Sequence, residues 1–194
     1  MRFEFTRQLV HLSGLLFVIV AQFIARELAV LYFLIITLFF LAYSLYVRSQ
    51  DKKLANFIGR FESKLRDFAL GLERKDAKNP FIGAMFFYLG CTLAFAFFSL
   101  PIASAACAML AVGDAFATLT GVKFGRRRIG KKSLEGAVAC FFASLAAGVF
   151  FVNPYLAVTG AFAASLAELN PWLDDNLVIP IASGLVMVLM SLFI

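Results

Sequence analysis

Long apolar runs, seldom broken by a charge, constrain this chain more than any other feature. Its 194 residues are 62% hydrophobic and include 24 Phe. A water-soluble domain of that length has too little interior for so much apolar surface, whereas a bilayer accepts it. A helix needs about 20 residues to cross roughly 30 Å of hydrocarbon. Seven runs meet or approach that length: about Leu9–Ala25, Leu28–Val47, Phe81–Phe98, Ile102–Leu119, Leu134–Val152, Tyr155–Glu168 and Leu177–Ile194. They predict an all-α fold, a polytopic membrane helical bundle of about seven transmembrane helices, in one domain over residues 1–194. No small-residue cleavage signal follows the first run, so it reads as a retained helix. Cys91, Cys107 and Cys140 all fall inside apolar runs and read as small hydrophobes. A single His argues against a zinc site.

The charges then orient the bundle. Seven spans put the N-terminus and the segments near 48–79, 120–133 and 169–176 on one side. Of the 18 Lys and Arg residues, 17 lie there and only Arg26 lies opposite. The positive-inside rule makes that side cytoplasmic. The membrane is the plasma membrane in a prokaryote and the endoplasmic reticulum in a eukaryote. In the second cytoplasmic segment, about residues 53–72, Leu54, Phe57, Ile58, Phe61, Leu65, Phe68 and Leu72 recur at helical spacing with cations between them. This predicts an amphipathic helix on the membrane surface, and a helix packed against the bundle fits the pattern equally well.

Residues 112–136 form the segment richest in chemistry. Asp114 sits inside an apolar run, Gly121 reads as a turn, and six cations follow: Lys123, Arg126, Arg127, Arg128, Lys131 and Lys132. Ser133 and Glu135 open the next run. Gly125-x-x-x-x-Gly130-Lys131-Lys132-Ser133 approaches a P-loop, but Lys132 stands where the magnesium-binding hydroxyl belongs, and no strand is expected before it. A P-loop fold is therefore rejected. The stretch still suits a polyphosphate, because glycines let backbone amides approach, cations neutralise charge, and a helix N-terminus begins at Ser133–Glu135. A topology signal that binds anionic lipid headgroups is the plainer reading.

Further polar residues fall on the same side. Arg7 and His11 lie one turn apart on one helix face, Glu168 closes the sixth run, and Asp174, Asp175 and Asn176 precede the seventh. Ionisable groups at membrane depth are functional-site candidates by default. Singly, each also reads as a helix-end polar residue or a snorkelling side chain. Their shared side favours a site at the cytoplasmic interface over a transporter, which would place such groups near the midplane.

Gly113-Asp114-Ala115, Gly121, Phe124-Gly125 and Lys132-Ser133-x-Glu135-Gly136 together resemble the signature region of the dolichol kinase and phytol kinase family, relatives of the CTP-using phosphatidate cytidylyltransferases. Arg7-x-x-x-His11 is similar to the family's Arg-Lys-x-x-His opening, with Gln8 in place of Lys. Glu168, Asp175-Asn176 and Pro180 resemble its C-terminal motif. The resemblance implies transfer of the terminal phosphoryl group of a nucleoside triphosphate, usually CTP, to a polyprenol- or dolichol-type alcohol drawn from the membrane. Such transfer needs metal, cations and positioning more than covalent help. Asp114, Glu168 and Asp175 are then the expected Mg2+ ligands or metal-positioning acids. Lys132 is expected to hold phosphate with Lys123, Arg126 and Lys131, aided by Ser133 and the amides near Gly121, Gly125 and Gly136. Asp114 or Glu135 would orient or deprotonate the acceptor hydroxyl, and Arg7 and His11 would neutralise charge on the transferred group. No nucleic-acid partner is expected, and oligomeric state is left open. A cytidylyltransferase making a CDP-lipid is the first competing reading, and a non-enzymatic transporter or lipid-binding scaffold is the second.

Overall fold

A computed structural model describes residues 2–49, 81–170 and 174–194. The amphipathic helix expected near 53–72 lies outside the described residues. Seven helices and one small hairpin are described. They are α1 (Arg2–Ala21), α2 (Arg26–Ser49), α3 (Ile82–Phe97), α4 (Leu100–Phe124), β1 (Arg128–Ile129), β2 (Lys132–Ser133), α5 (Leu134–Gly148), α6 (Pro154–Glu168) and α7 (Asp175–Ser191). By length and composition, Arg26–Leu45 and Leu100–Phe124 can each cross a bilayer. These two helices point to a membrane protein. The others are shorter; fifteen-residue α5, for example, rises about 22 Å.

Helix α4 is the axis of the bundle. Ala103, Ala105, Ala106, Cys107 and Ala108 are buried along it, and such small side chains let neighbouring backbones approach closely. Pro101 in its first turn is tolerated because that N–H has no intrahelical partner to lose. Around this axis α5 packs on α6, α6 on α7, and α7 on both α3 and α4, while α1 lies along the second half of α4. Helix α2 is peripheral and packs on α3 through an aromatic seam in which Phe40 stacks on Tyr88 at 5.5 Å. Its other face leaves Leu28, Leu31, Ile35, Leu38 and Phe39 exposed, as a lipid-facing helix would.

The α4 helix is not uniform, since Leu110–Asp114 form a π-turn. Such one-turn widenings insert an extra residue, rotate the remainder of the helix, and recur at functional sites. Two contacts with α5 support this one. Ser144 Oγ donates to the Met109 carbonyl at 3.3 Å. A Cβ on Gly113 would collide with that same Ser144 hydroxyl and meet Cys140 Sγ at 3.1 Å. The turn ends at Asp114 and aims it inward.

Two local expectations are corrected here. Gly121 is not a turn; it is a buried residue inside α4, which continues to Phe124. Its lack of a side chain serves packing, as a Cβ there would sit 3.1 Å from Ser133 Oγ. The basic segment is also more ordered than a loop, since Arg128 pairs with Ser133 and Ile129 with Lys132 in an antiparallel ladder. Gly130 opens the two-residue turn with φ 59°, a first-position requirement that glycine meets without strain.

Candidate active site

Three helices bring carboxylates together, two of them neighbours in sequence and the third distant. Asp114 comes from the π-turn of α4, Glu168 from the last residue of α6, and Asp175 from the first residue of α7. One oxygen from each lies within 4.8 Å of the other two, and Asp114 and Glu168 are buried. A carboxylate at a helix C-terminus faces the negative end of the helix dipole, so Glu168 needs a cation nearby. Lys132 supplies it from β2: its Nζ donates to Glu168 Oε1 at 2.8 Å and to Asp175 Oδ2. Burial pulls the Lys132 ammonium toward neutrality, but Glu168, Asp175 and Asp114 outweigh that and hold its pKa above the ordinary value. The lysine is therefore charged at neutral pH.

With all three ionised, the carboxylates against one ammonium carry a formal charge of −2. Glu168 Oε2 and Asn176 Oδ1 are buried with no hydrogen-bond partner among the described residues. Hard oxygen donors, uncompensated negative charge and orphaned acceptors fit a divalent cation of the magnesium type. The residues able to hold it are Asp114, Glu168 and Asp175.

Helix α1 closes one side. His11 Nε2 lies 3.4 Å from Asp114 Oδ2. The edge of the imidazole packs on the Phe87 ring of α3, centroids 4.9 Å apart and planes at 80°. Phe87 can lie that close because Gly14, one turn further along α1, has no Cβ to obstruct its ring. Arg7 occupies the turn before His11 and is half-buried.

The far wall is set by Pro180. Inside α7 it has no N–H to donate to the Asn176 carbonyl four residues earlier. That freed carbonyl points at α3, where Gly90 leaves room for it and for the Pro180 ring. Asp174 caps α7 by accepting from Asn176 N at 3.1 Å, which fixes where Asp175 begins the helix.

The remaining sequence candidates divide. Ser133 is buried as the N-cap of α5, its hydroxyl accepting from Gly136 N at 3.1 Å. Gly136 sits so close to α4 that a Cβ would meet the Ala117 carbonyl at 2.9 Å. Glu135 stands apart from the acid cluster; its carboxylate accepts from Arg127 N at 3.2 and 3.3 Å and braces the hairpin. Lys123, Arg126, Arg127 and Lys131 are exposed, Gly125 is half-buried at the end of α4, and Arg128 Nη2 donates to the Gly121 carbonyl at 3.3 Å. The segment thus sends Lys132 inward and leaves its other five cations, Arg128 among them, exposed.

One buried polar residue has no role legible in the sequence. Gln8, 1% exposed, has neither amide atom hydrogen-bonded among the described residues. It lies three residues before His11, a spacing that puts both on one helix face. The signals in the sequence are a polar amide at that spacing within an apolar helix and its place within the Arg7–His11 motif.

No family model matches the chain, and no solved structure matches it. An uncharacterized protein of Rickettsia prowazekii is 26% identical over 190 residues, covering 93% of this chain and 91% of that relative. CTP-dependent diacylglycerol kinase 1 of Schizosaccharomyces pombe is 31% identical over 145 residues, covering 63% of this chain and 66% of that enzyme.

Proposed function

We propose that this protein is a CTP-dependent lipid kinase whose active site is the cluster of Asp114, Glu168, Asp175, Lys132 and His11. The observation that carries the reading is the meeting of three acids and a lysine from four separate segments beside an outward-facing basic hairpin. Similarity to a CTP-dependent diacylglycerol kinase supports both the reaction class and the nucleotide. Seven crossings with the hairpin on the cytoplasmic side, where CTP is found, complete the proposal.

The reaction joins the acceptor oxygen to the γ-phosphorus, breaks the bond from that phosphorus to the β–γ bridging oxygen, and releases CDP and a proton. Positioning and electrostatics supply most of the catalysis in such transfers. Magnesium held by Asp114, Glu168 and Asp175 would offset charge on the phosphates. The exposed cations Arg126, Arg127 and Lys131 attract and seat the triphosphate, and Lys132, at the boundary of hairpin and acid cluster, meets its terminal end. Asp114 accepts the acceptor's proton or orients its hydroxyl, and His11, with Nε2 3.4 Å away, is placed to help neutralise charge on the transferred group. Burial of Asp114 keeps water from competing for the phosphoryl group.

Two acceptor classes fit a hydroxyl presented from the membrane. A polyprenol or dolichol-type alcohol is implied by the motif resemblance, and a diacylglycerol is suggested by the named activity of the yeast relative. The test is purified protein in detergent with magnesium, γ-labelled CTP and a panel of diacylglycerol, phytol, geranylgeraniol and dolichol. Label on one lipid identifies the acceptor, and label on none contradicts the kinase.

A further inference from the structure

A crevice of about 500 Å³ opens on the side of the bundle between α1 and α5. Leu15 and Ile19 line it from α1, Val112 from the π-turn, and Ala146, Ala147 and Phe150 from the end of α5 and just beyond. Every one of these side chains is hydrocarbon.

Its position relates it to the acid cluster. His11, Leu15 and Ile19 are spaced four residues apart and so share one face of α1. Val112 lies two residues before Asp114 in the same π-turn. The crevice therefore begins one helical turn from the His11–Asp114 pair. From there it runs along α1 for about 6 Å, the rise of the four residues from Leu15 to Ile19. The lining itself is wholly apolar, so a molecule that fills the crevice and also reaches Asp114 and His11 is apolar along its length and polar at one end. A nucleotide does not meet that description. A lipid alcohol does.

We propose that the crevice holds one hydrocarbon chain of the acceptor lipid, entering sideways between α1 and α5 so that its hydroxyl stops at Asp114. This rests on the lipid-kinase reading and adds to it a limit on chain length. A crevice of this size takes only part of a long chain, and the rest continues into the bilayer. A diacylglycerol places one acyl chain there and leaves the other in the bilayer; a long polyprenol places only its first few isoprene units. Turnover rises with chain length until the crevice is full and then levels.

The crevice is tested on the full-length protein in two ways. The first is photolabelling with an alkyl-diazirine lipid alcohol, which needs no turnover. Label concentrated near Leu15–Ile19 and Ala146–Phe150, and suppressed by Ala146→Trp, supports the proposal. Label spread over the outer faces of all helices, or indifferent to Ala146→Trp, overturns it. The second is kcat/KM for acceptors with single chains of increasing length. Displacing about two methylenes of buried chain lowers affinity roughly tenfold, so Ala146→Trp reduces the preference for long over short chains by about that factor. An equal reduction for every length overturns the crevice. Failure of the kinase reading is distinct: wild type then transfers no phosphate to any acceptor, while the labelling pattern still decides whether a chain lies here.

Discussion

Lys132 Nζ donates to Glu168 Oε1 at 2.8 Å, so the basic hairpin is anchored to the last residue of α6. This contact converts a charge run that resembles a simple topology signal into part of a buried site. Only one cation of the hairpin is used this way, and the exposed remainder stays available to a polyanion.

Removing that cation exposes the charge imbalance. Lys132→Gln leaves Glu168, 3% exposed, without its partner. Breaking a buried pair costs about 3–5 kcal/mol, which corresponds to a Tm lower by roughly 6–20 °C for a chain of this size. Added Mg2+ raises the Tm of the variant more than that of wild type, since a divalent ion replaces the lost charge. Thermal unfolding in detergent with and without Mg2+ measures both effects.

Gly113 and Ser144 are tested as a pair. Gly113→Ala forces a methyl against the Ser144 hydroxyl and destabilises by about 1–3 kcal/mol. Ser144→Ala in the same chain removes the clash and recovers part of that loss. A double-mutant cycle in which the two effects simply add contradicts the packing account of the π-turn.

The outward cations act on the nucleotide alone. Arg126→Ala and Lys131→Ala leave Tm nearly unchanged, because both side chains are exposed. They raise the KM for CTP, and the effect shrinks as salt is added. The KM for the lipid acceptor stays constant in the same steady-state assays.

His11→Ala lowers kcat by about 10²-fold. Phe87→Leu, which removes the ring packed on the imidazole, causes a smaller loss of the same kind by loosening His11. Phosphoryl-transfer rates at saturating CTP and lipid separate the two.

Much of the bundle is legible in the sequence because apolar runs of helical length leave the backbone little alternative in lipid. The acids Asp114, Glu168 and Asp175 stand out for the same reason, as polar residues in or beside such runs. What the sequence hides is set by distant contacts. The π-turn depends on Ser144 meeting the Met109 carbonyl, 35 residues away. Gly121, read as a breaker from its residue type, is needed to let α4 pass Ser133. Glu135 and Lys132 lie three residues apart in one polar segment, yet the N-cap at Ser133 sends one toward Arg127 N and the other into the cluster. Gln8 stands out in the sequence only as a departure from the Arg-Lys-x-x-His pattern, and its burial without a hydrogen-bond partner among the described residues is not legible there.

The fate of labelled CTP decides whether phosphoryl transfer occurs at Asp114. Purified protein is given lipid acceptor, Mg2+, and CTP labelled in either the α or the γ phosphate, with Asp114→Asn alongside. The account predicts γ label in the lipid, no α label, and loss of transfer by at least about 10²-fold in a variant that still folds. Entry of α label with release of pyrophosphate would make the protein a cytidylyltransferase, and γ transfer undiminished in Asp114→Asn would place the chemistry elsewhere.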